Sequence, residues 1–170
     1  MKNSLILINV FFLLVNSCAS LGGQNEKIGD AFILGFDKVK FFDKVDGCEI
    51  GQIQNNELEE IYYSLEVYDQ KNDWFKVQAI AMKETITVWI LNKSYLATYS
   101  RNYSDTLSVY KEPNKRELIC SVTDYFTSPM LVIEFKKDLV KVKINDSIIS
   151  CSGGWVAQNM TCSSPYTTCN

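Results

Sequence analysis

Short runs of alternating apolar and polar residues follow one another along most of the chain. Val140, Val142 and Ile144, for example, alternate with lysines. The same period of two recurs in the ranges 64–67, 85–90 and 131–135. In runs rich in Val, Ile and Phe, this period is typical of half-buried β-strands.

Turn-forming residues separate these runs, as at Asp46-Gly47 and Asn145-Asp146-Ser147. The one helical-looking stretch, 55–63, is short and acidic, and we interpret it as a long loop. The pattern therefore predicts an all-β protein.

The chain also repeats itself. Four short blocks occur twice, in the same order and at an offset of roughly 65 residues: 39–42 with 107–110, 50–53 with 119–122, 72–77 with 137–142, and 87–90 with 153–156. Solenoid units are shorter, about 20–50 residues, whereas a unit of this length can form its own small core. The repeat predicts two small barrels in tandem: a first domain at 30–92, a linker at 93–105 and a second domain with a Cys-bearing tail at 106–170.

The first 17 residues have the pattern of a signal peptide. Lys2 precedes the apolar run 5–15, which is shorter than the roughly 20 residues that a membrane span needs. The run ends at Ser17-Cys18, which is similar to a bacterial lipoprotein box. We therefore predict a lipid on Cys18 and a flexible leash over 18–29.

The alternative is ordinary signal cleavage just after Ala19 or Ser20. Either form predicts an exported protein of the cell envelope. With the lipid it is an outer-membrane lipoprotein, and without it a periplasmic protein.

Charge and composition exclude several classes of function. The net charge is −3 and the cations are scattered, so we do not expect a nucleic-acid partner. The chain has no histidine, which removes the commonest general base and zinc ligand. Carboxylate pairs such as Asp43 with Asp46 lie in predicted loops, where nothing fixes their geometry. We predict no enzymatic activity, no metal and no cofactor.

Six cysteines fit an oxidising compartment. Cys162 and Cys169 bracket a proline-containing loop that a disulfide could close; the alternative is a pair of free thiols. Cys120 lies in a strand pattern and is predicted to be a small buried hydrophobe. Cys48 and Cys151 fall in predicted loops, and the sequence assigns them no partner.

The repeated blocks resemble the bacterial SH3 domain. Its pattern combines an aromatic near the end of the first strand, Ile50-Gly51-Gln52-Ile53, Asn72-Asp73-Trp74-Phe75-Lys76-Val77, and a final Gly153-Gly154-Trp155-Val156. Each copy departs from this pattern at one place. The second has Leu139 where the pattern expects Trp, and the first has Thr87-Val88 where it expects Gly before Trp89.

Taken as a whole, the chain is similar to small exported SH3-domain proteins of Gram-negative, Bacteroidota-like bacteria. The resemblance implies five- or six-stranded, partly open barrels without catalytic activity. It implies as partners a cell-wall peptide or an envelope protein, and it leaves the oligomeric state open.

Such a module would bind an extended ligand through loop aromatics. Phe42 and Tyr110 occupy equivalent places at the end of the first strand of each copy, and the other candidates, Trp74, Trp89 and Trp155, follow turns. The alternative for each tryptophan is a core position, because a Trp in a small barrel can fill the barrel end.

A third interpretation is a secreted structural or interaction glycoprotein with no small ligand, and a fourth is an accessory subunit of a hydrolase. Asn92, Asn102, Asn145 and Asn159 each begin an N-glycosylation acceptor sequence. A chain rich in Asn and Ser produces such matches by chance, so binding in the envelope remains the main prediction.

Overall fold

The computed structural model describes residues 26–164 except for 59, 80–85, 94 and 148. The described residues form thirteen strands and one 3-10 turn, η1 (Gln158–Met160). The strands are β1 (Gly29–Ile33), β2 (Val39–Phe42), β3 (Glu49–Ile53), β4 (Ser64–Lys71), β5 (Trp74–Ala79), β6 (Thr87–Leu91), β7 (Leu96–Ser100), β8 (Leu107–Tyr110), β9 (Leu118–Val122), β10 (Met130–Lys136), β11 (Leu139–Ile144), β12 (Gly153–Ala157) and β13 (Thr161–Cys162). The prediction of an all-β protein is confirmed.

The repeat is visible in the strand order, which runs β3-β2-β6-β5-β4-β1-β7-β10-β11-β12-β8-β9. The first unit, β1–β6, and the second unit, β7–β12, have the same internal order and are joined at β1 and β7. There Phe32 pairs with Ala97 and Ile33 with Leu96. Both copies therefore belong to one antiparallel sheet rather than to two separate sheets.

Strand β7 lies inside 93–105, the range predicted as a linker. Its residues pair with three other strands: β1, β10 and the C-terminal β13. The polar composition of this range predicted a connection between domains, but its backbone is part of the sheet.

Irregularities in the sheet are repeated as well. The β4–β5 register shifts between Val67 and Asp69, and the β10–β11 register shifts at the corresponding place. Asn72 and Lys137 lie at corresponding positions in the turns of the β4–β5 and β10–β11 hairpins, each with φ of 54°. Two units with the same pairing, bulges and turn conformations are structural duplicates.

The core lies on the face made by alternate residues of each strand. Val77 is 0% exposed and Val142 is 1% exposed, so these corresponding positions of the two copies are both buried. Phe75 and Phe135 meet edge to face across the two units, with ring centroids 6.2 Å apart. Burial of such side chains contributes about 1.5–3 kcal/mol each, so this core stabilises the two units together.

Polar contacts also cross between the units. Gln70 of the first unit accepts a hydrogen bond from the Phe135 amide at 2.8 Å and donates to the Ile133 carbonyl at 3.2 Å. Asn92 donates to the carbonyl of Val132 at 2.8 Å. These side chains supply partners for backbone groups of β10 at its bulge, where the regular ladder is interrupted.

The cysteine assignments change in one respect. Cys120 is half-buried and forms a disulfide with Cys151, so the prediction of a small buried hydrophobe was wrong. The pairing of β8 with both β9 and β12 places the two cysteines together. Cys162 is also disulfide-bonded, while Cys169 lies outside the described residues. Cys48 is a free, exposed thiol.

The predicted signal peptide and Cys18 lie outside the described residues. Within the part of the chain that the structure describes, no helix has the length and apolar character to cross a membrane. Gly29, the last residue of the predicted leash, begins strand β1.

Candidate functional site

The predicted aromatics of the first unit lie together on the sheet face opposite the core. Phe75 and Val77 of β5 point into the core, so Trp74 and Lys76 point away from it. Trp89 pairs with Lys76 on one side and with Phe42 on the other. The ring of Trp74 meets that of Phe42 edge to face, with centroids 5.0 Å apart.

The second unit builds the same row from its own residues. Trp155 pairs with Lys141 on one side and with Tyr110 on the other. The structure therefore brings the predicted residues together within each unit, three in the first and two in the second.

The two pairing tryptophans are nevertheless largely enclosed. Trp89 is 9% exposed and Trp155 is 4% exposed. The ammonium of Lys71 lies 5.4 Å from the ring centroid of Trp89, and that of Lys141 lies 5.9 Å from that of Trp155. Cation–π contacts of this kind occupy the ring face that a ligand would need. Phe42, Trp74 and Tyr110 are half-buried and keep accessible surface.

More exposed aromatics lie on the loops that leave β1 and β7. Phe36 is 45% exposed and lies against Tyr62, with ring centroids 6.3 Å apart. In the second unit Tyr103 and Tyr125, 50% and 40% exposed, have centroids 4.7 Å apart. Each unit thus carries one aromatic pair. One ring lies in the loop between the first and second strands of the unit, and the other ring lies in the loop between the third and fourth strands.

Tyr99 of β7 lies in the neighbourhood of Tyr62 and Tyr125. Its own ring stacks on that of Phe32, with centroids 4.9 Å apart. The pKa of Tyr99 is raised above its ordinary value, first by burial and then by the nearby phenol of Tyr62. The pKa of Tyr125 is raised by burial, by a hydrogen bond with Tyr103 and, least, by Tyr99. We call the set Phe36, Tyr62, Tyr99, Tyr103 and Tyr125 the aromatic patch.

Buried asparagines hold the loops that carry the patch. The Asn55 side chain is 3% exposed, and its Nδ2 donates to the carbonyls of Ile33 and Gly35, each at 2.7 Å. Asn102, 1% exposed, does the same in the second unit, through the carbonyls of Val122 and Asp124 at 3.2 and 3.1 Å. A binding surface ordered in advance loses less conformational entropy when a ligand arrives.

Chemically, the patch offers flat apolar ring faces and phenol hydroxyl groups. Such groups suit an extended chain that presents apolar surface and hydrogen-bonding groups together. Across the described ranges no three His, Cys, Asp or Glu side chains are arranged to hold a metal ion.

Sequence reasoning did not single out the four loop aromatics of the patch. The aligned blocks of the repeat are strands, whereas Phe36, Tyr62, Tyr103 and Tyr125 lie in loops whose lengths differ between the copies. A usable signal was present: an aromatic in a polar loop has no strand partner to cover it, so it tends to be exposed.

Comparisons with known proteins add two distant structural neighbours. No family model and no curated protein matches the chain. It is similar to a solved structure of NlpC2 from Trichomonas vaginalis, with 14% identity and a TM-score of 0.30, over 87% of this chain and 52% of that one. NlpC1 from the same organism gives 16% identity and a TM-score of 0.29, over 84% and 48%. The chain thus spans about half the length of these neighbours.

Proposed function

We propose that this protein is a non-catalytic binding module of the cell envelope that recognises an extended peptide, such as a cell-wall stem peptide or a segment of a partner protein. The aromatic patch carries the proposal. Three of its rings, those of Phe36, Tyr103 and Tyr125, are exposed, and they lie on loops that are held by the buried amides of Asn55 and Asn102. Extended peptides bind such aromatic surfaces because their preformed backbone loses little entropy.

We also infer that each copy closes as a small SH3-like barrel, with β7 shared between them. In the second unit β7 pairs with β13, directly after the 3-10 turn η1. In the first unit β1 pairs with β7 in the corresponding way. On this proposal β7 is the closing strand of the first barrel and the opening strand of the second.

An exported, lipid-anchored location belongs to the same proposal. The Cys120–Cys151 disulfide supports it, since such bonds persist in oxidising compartments. Replacing Cys18 with Ala should move the protein from the membrane fraction to the soluble fraction of its host. Retention of the Cys18→Ala protein in the membrane fraction would exclude a lipid at this position.

The binding test uses soluble peptidoglycan fragments that carry stem peptides, titrated into the mature chain. Tyr103→Ala should weaken binding about tenfold, equivalent to about 1.4 kcal/mol, because it removes an exposed ring from the patch. Its thermal midpoint should stay close to that of the wild type. Ile50→Ala is the matched control, since Ile50 is 56% exposed on β3, outside the patch.

Tyr110→Ala distinguishes the two aromatic surfaces. If Tyr110→Ala weakens binding and Tyr103→Ala does not, the ligand lies on the strand row of the second unit. If neither variant changes the affinity, or if the fragments do not bind at all, this proposal fails for cell-wall peptides.

A secreted glycoprotein is the second candidate, and it rests on the exposed positions of Asn145 and Asn159. Asn92 and Asn102 do not support it, because their amide nitrogens donate to main-chain carbonyls. The mass of the purified native protein discriminates. Sugar at Asn145 or Asn159 favours this candidate, and a diacylglycerol at Cys18 favours the first.

A further inference from the structure

The second unit contains a cleft between the tips of two of its hairpins. Its volume is about 380 Å³, and residues 113–115 of the β8–β9 hairpin and residues 136–139 of the β10–β11 hairpin line it. This volume is within the range of small-ligand sites, about 300–1,000 Å³. The residues of the aromatic patch do not line this cleft.

One difference between the copies leaves room for this cleft. Trp74 of the first unit pairs with Lys71, and at the corresponding place in the second unit Leu139 pairs with Lys136. The Trp74 indole lies against the ring of Phe42. Leu139, which lines the cleft, is much smaller than an indole.

The cleft is lined by lysines that have no ion-pair partner among the described residues. Within the described residues, Lys115, Lys136 and Lys137 take part in no ion pair. Asp138 is the one acidic side chain in the lining. Nearby Lys111, in contrast, has the carboxylate of Glu117 at 3.0 Å. Unpaired like charges around one cleft repel each other, and a bound anion relieves that repulsion.

Two of these lysines have a backbone conformation that is unfavourable for lysine. Lys115 has φ of 58° and Lys137 has φ of 54°, in the left-handed region. The first unit has Asp46 and Asn72 at the corresponding turns, with φ of 53° and 54°. Asp and Asn are the residues that tolerate this conformation best, and lysine is less favourable. The second unit thus holds cations at both turns against the local conformational preference.

Both hairpin tips are also fixed in place. The Arg116 amide donates to the Asn114 side chain at 2.9 Å, and the Lys137 carbonyl accepts a hydrogen bond from Gln158 at 2.6 Å. A cleft that is already ordered keeps its charges in position for a ligand.

We propose that this cleft is a second binding site, which takes an acidic side chain of a peptide. Lys115, Lys136 and Lys137 provide the positive charge, as point charges without the planar fork of arginine. Leu139 and Pro113 provide an apolar wall for the methylene groups that carry the carboxylate. The residues that line the site all belong to the second unit, and none of them belongs to the aromatic patch.

The test uses two capped peptides on the full mature chain, acetyl-Ala-Glu-Glu-Ala-amide and its Gln-Gln counterpart. The Glu peptide should bind about tenfold more tightly than the Gln peptide, and added salt should reduce the difference. The double variant Lys136→Gln with Lys137→Gln should remove most of this preference. The control pair Lys38→Gln with Lys44→Gln changes the net charge equally, on exposed lysines of the first unit.

Leu139→Trp provides a second test that leaves the lysines in place. An indole at this position should fill the cleft and should abolish the preference for the Glu peptide. The circular dichroism spectrum of this variant must match that of the wild type. If the variant does not fold, the result of the double variant Lys136→Gln with Lys137→Gln is the one that tests the proposal. Equal binding of the two peptides, or an equal loss in the control pair, overturns the proposal. If Tyr103→Ala leaves the Glu preference intact, the cleft is independent of the patch; if it abolishes that preference, the two sites are one and the proposal of a second site fails.

Discussion

Removal of the Cys120–Cys151 disulfide should destabilise the whole chain, including the unit that does not contain it. The bond joins residues 31 apart in sequence. For a closed loop of this length, the chain-entropy relation gives about 3.7 kcal/mol at 25 °C. The double variant Cys120→Ala with Cys151→Ala avoids leaving a polar group at position 151, which is 7% exposed. We expect the free energy of unfolding to fall by about this amount.

The loss should reach the first unit because the units share a core and backbone contacts. Phe75 packs on Phe135, and Gln70 bonds to the Phe135 amide and to the Ile133 carbonyl. Urea unfolding followed by tryptophan fluorescence measures this directly. In a Trp155→Phe background, the remaining tryptophans lie in the first unit, so the signal reports on that unit. Its midpoint should shift as much as the far-ultraviolet circular dichroism midpoint of the whole chain.

Cys48→Ser is the control, since Cys48 is free and exposed, and its unfolding free energy should change by less than about 0.5 kcal/mol. A loss below about 1 kcal/mol in the double variant would refute the entropic estimate. If the first-unit signal keeps its midpoint while the total signal splits into two steps, the copies fold independently and the shared core is not cooperative.

Three further predictions concern the same frame. Val77→Ala and Val142→Ala should each cost about 1–3 kcal/mol in urea unfolding, because both are buried at corresponding core positions; a cost in one copy only would contradict equivalent packing. Gly153→Ala should cost about 3 kcal/mol or more, because φ is 128° and a Cβ would lie 2.1 Å from the carbonyl oxygen of Val142; Gly51→Ala, with its nearest contact at 3.7 Å, should change little. Burial raises the pKa of folded Tyr99 above the unfolded value of about 10. The contribution of Tyr99 to the free energy of unfolding is therefore complete below that pH and is lost as pH rises through the folded pKa. Tyr99→Phe should therefore flatten the alkaline decline of the urea midpoint, and an unchanged decline would show that the Tyr99 phenol is not responsible.

The strands were predictable because their signal is local. A period of two in residues such as Val140 and Val142 needs no knowledge of the partner strand. Pairing between distant segments is different, and Leu96–Ser100 shows why. Its neighbours in sequence are polar, so it resembled a linker, but β1 and β10 lie beside it and use its backbone groups. The Cys120–Cys151 bond could not be predicted either, because it also depends on the pairing of segments that are distant in sequence.

The candidate site was predictable only as far as the repeat extends. The resemblance to a known domain pointed to aromatics on aligned strands, and those residues do cluster within each unit. Burial depends on what lies across the sheet, such as Lys71 over Trp89, and no sequence pattern gives that contact. The exposed pair Tyr103 and Tyr125 lies in loops, where the two copies cannot be aligned.

The differences between the copies are more informative about function than their similarities. Shared bulges and Lys–Trp pairs maintain the sheet in both units, so they report on stability. In the second unit, β12 approaches β8 so closely that a Cβ on Gly154 would lie 2.6 Å from the Tyr110 carbonyl oxygen. The first unit has Val88 at that position, and there Trp89 pairs with Phe42 as Trp155 pairs with Tyr110. Gly154 thus occupies a place where a side chain would clash, and Leu139, one strand away, lines the cleft together with Lys115 and its neighbours. These changes lie in one region of one unit, and they support the proposal that the second unit has a ligand of its own.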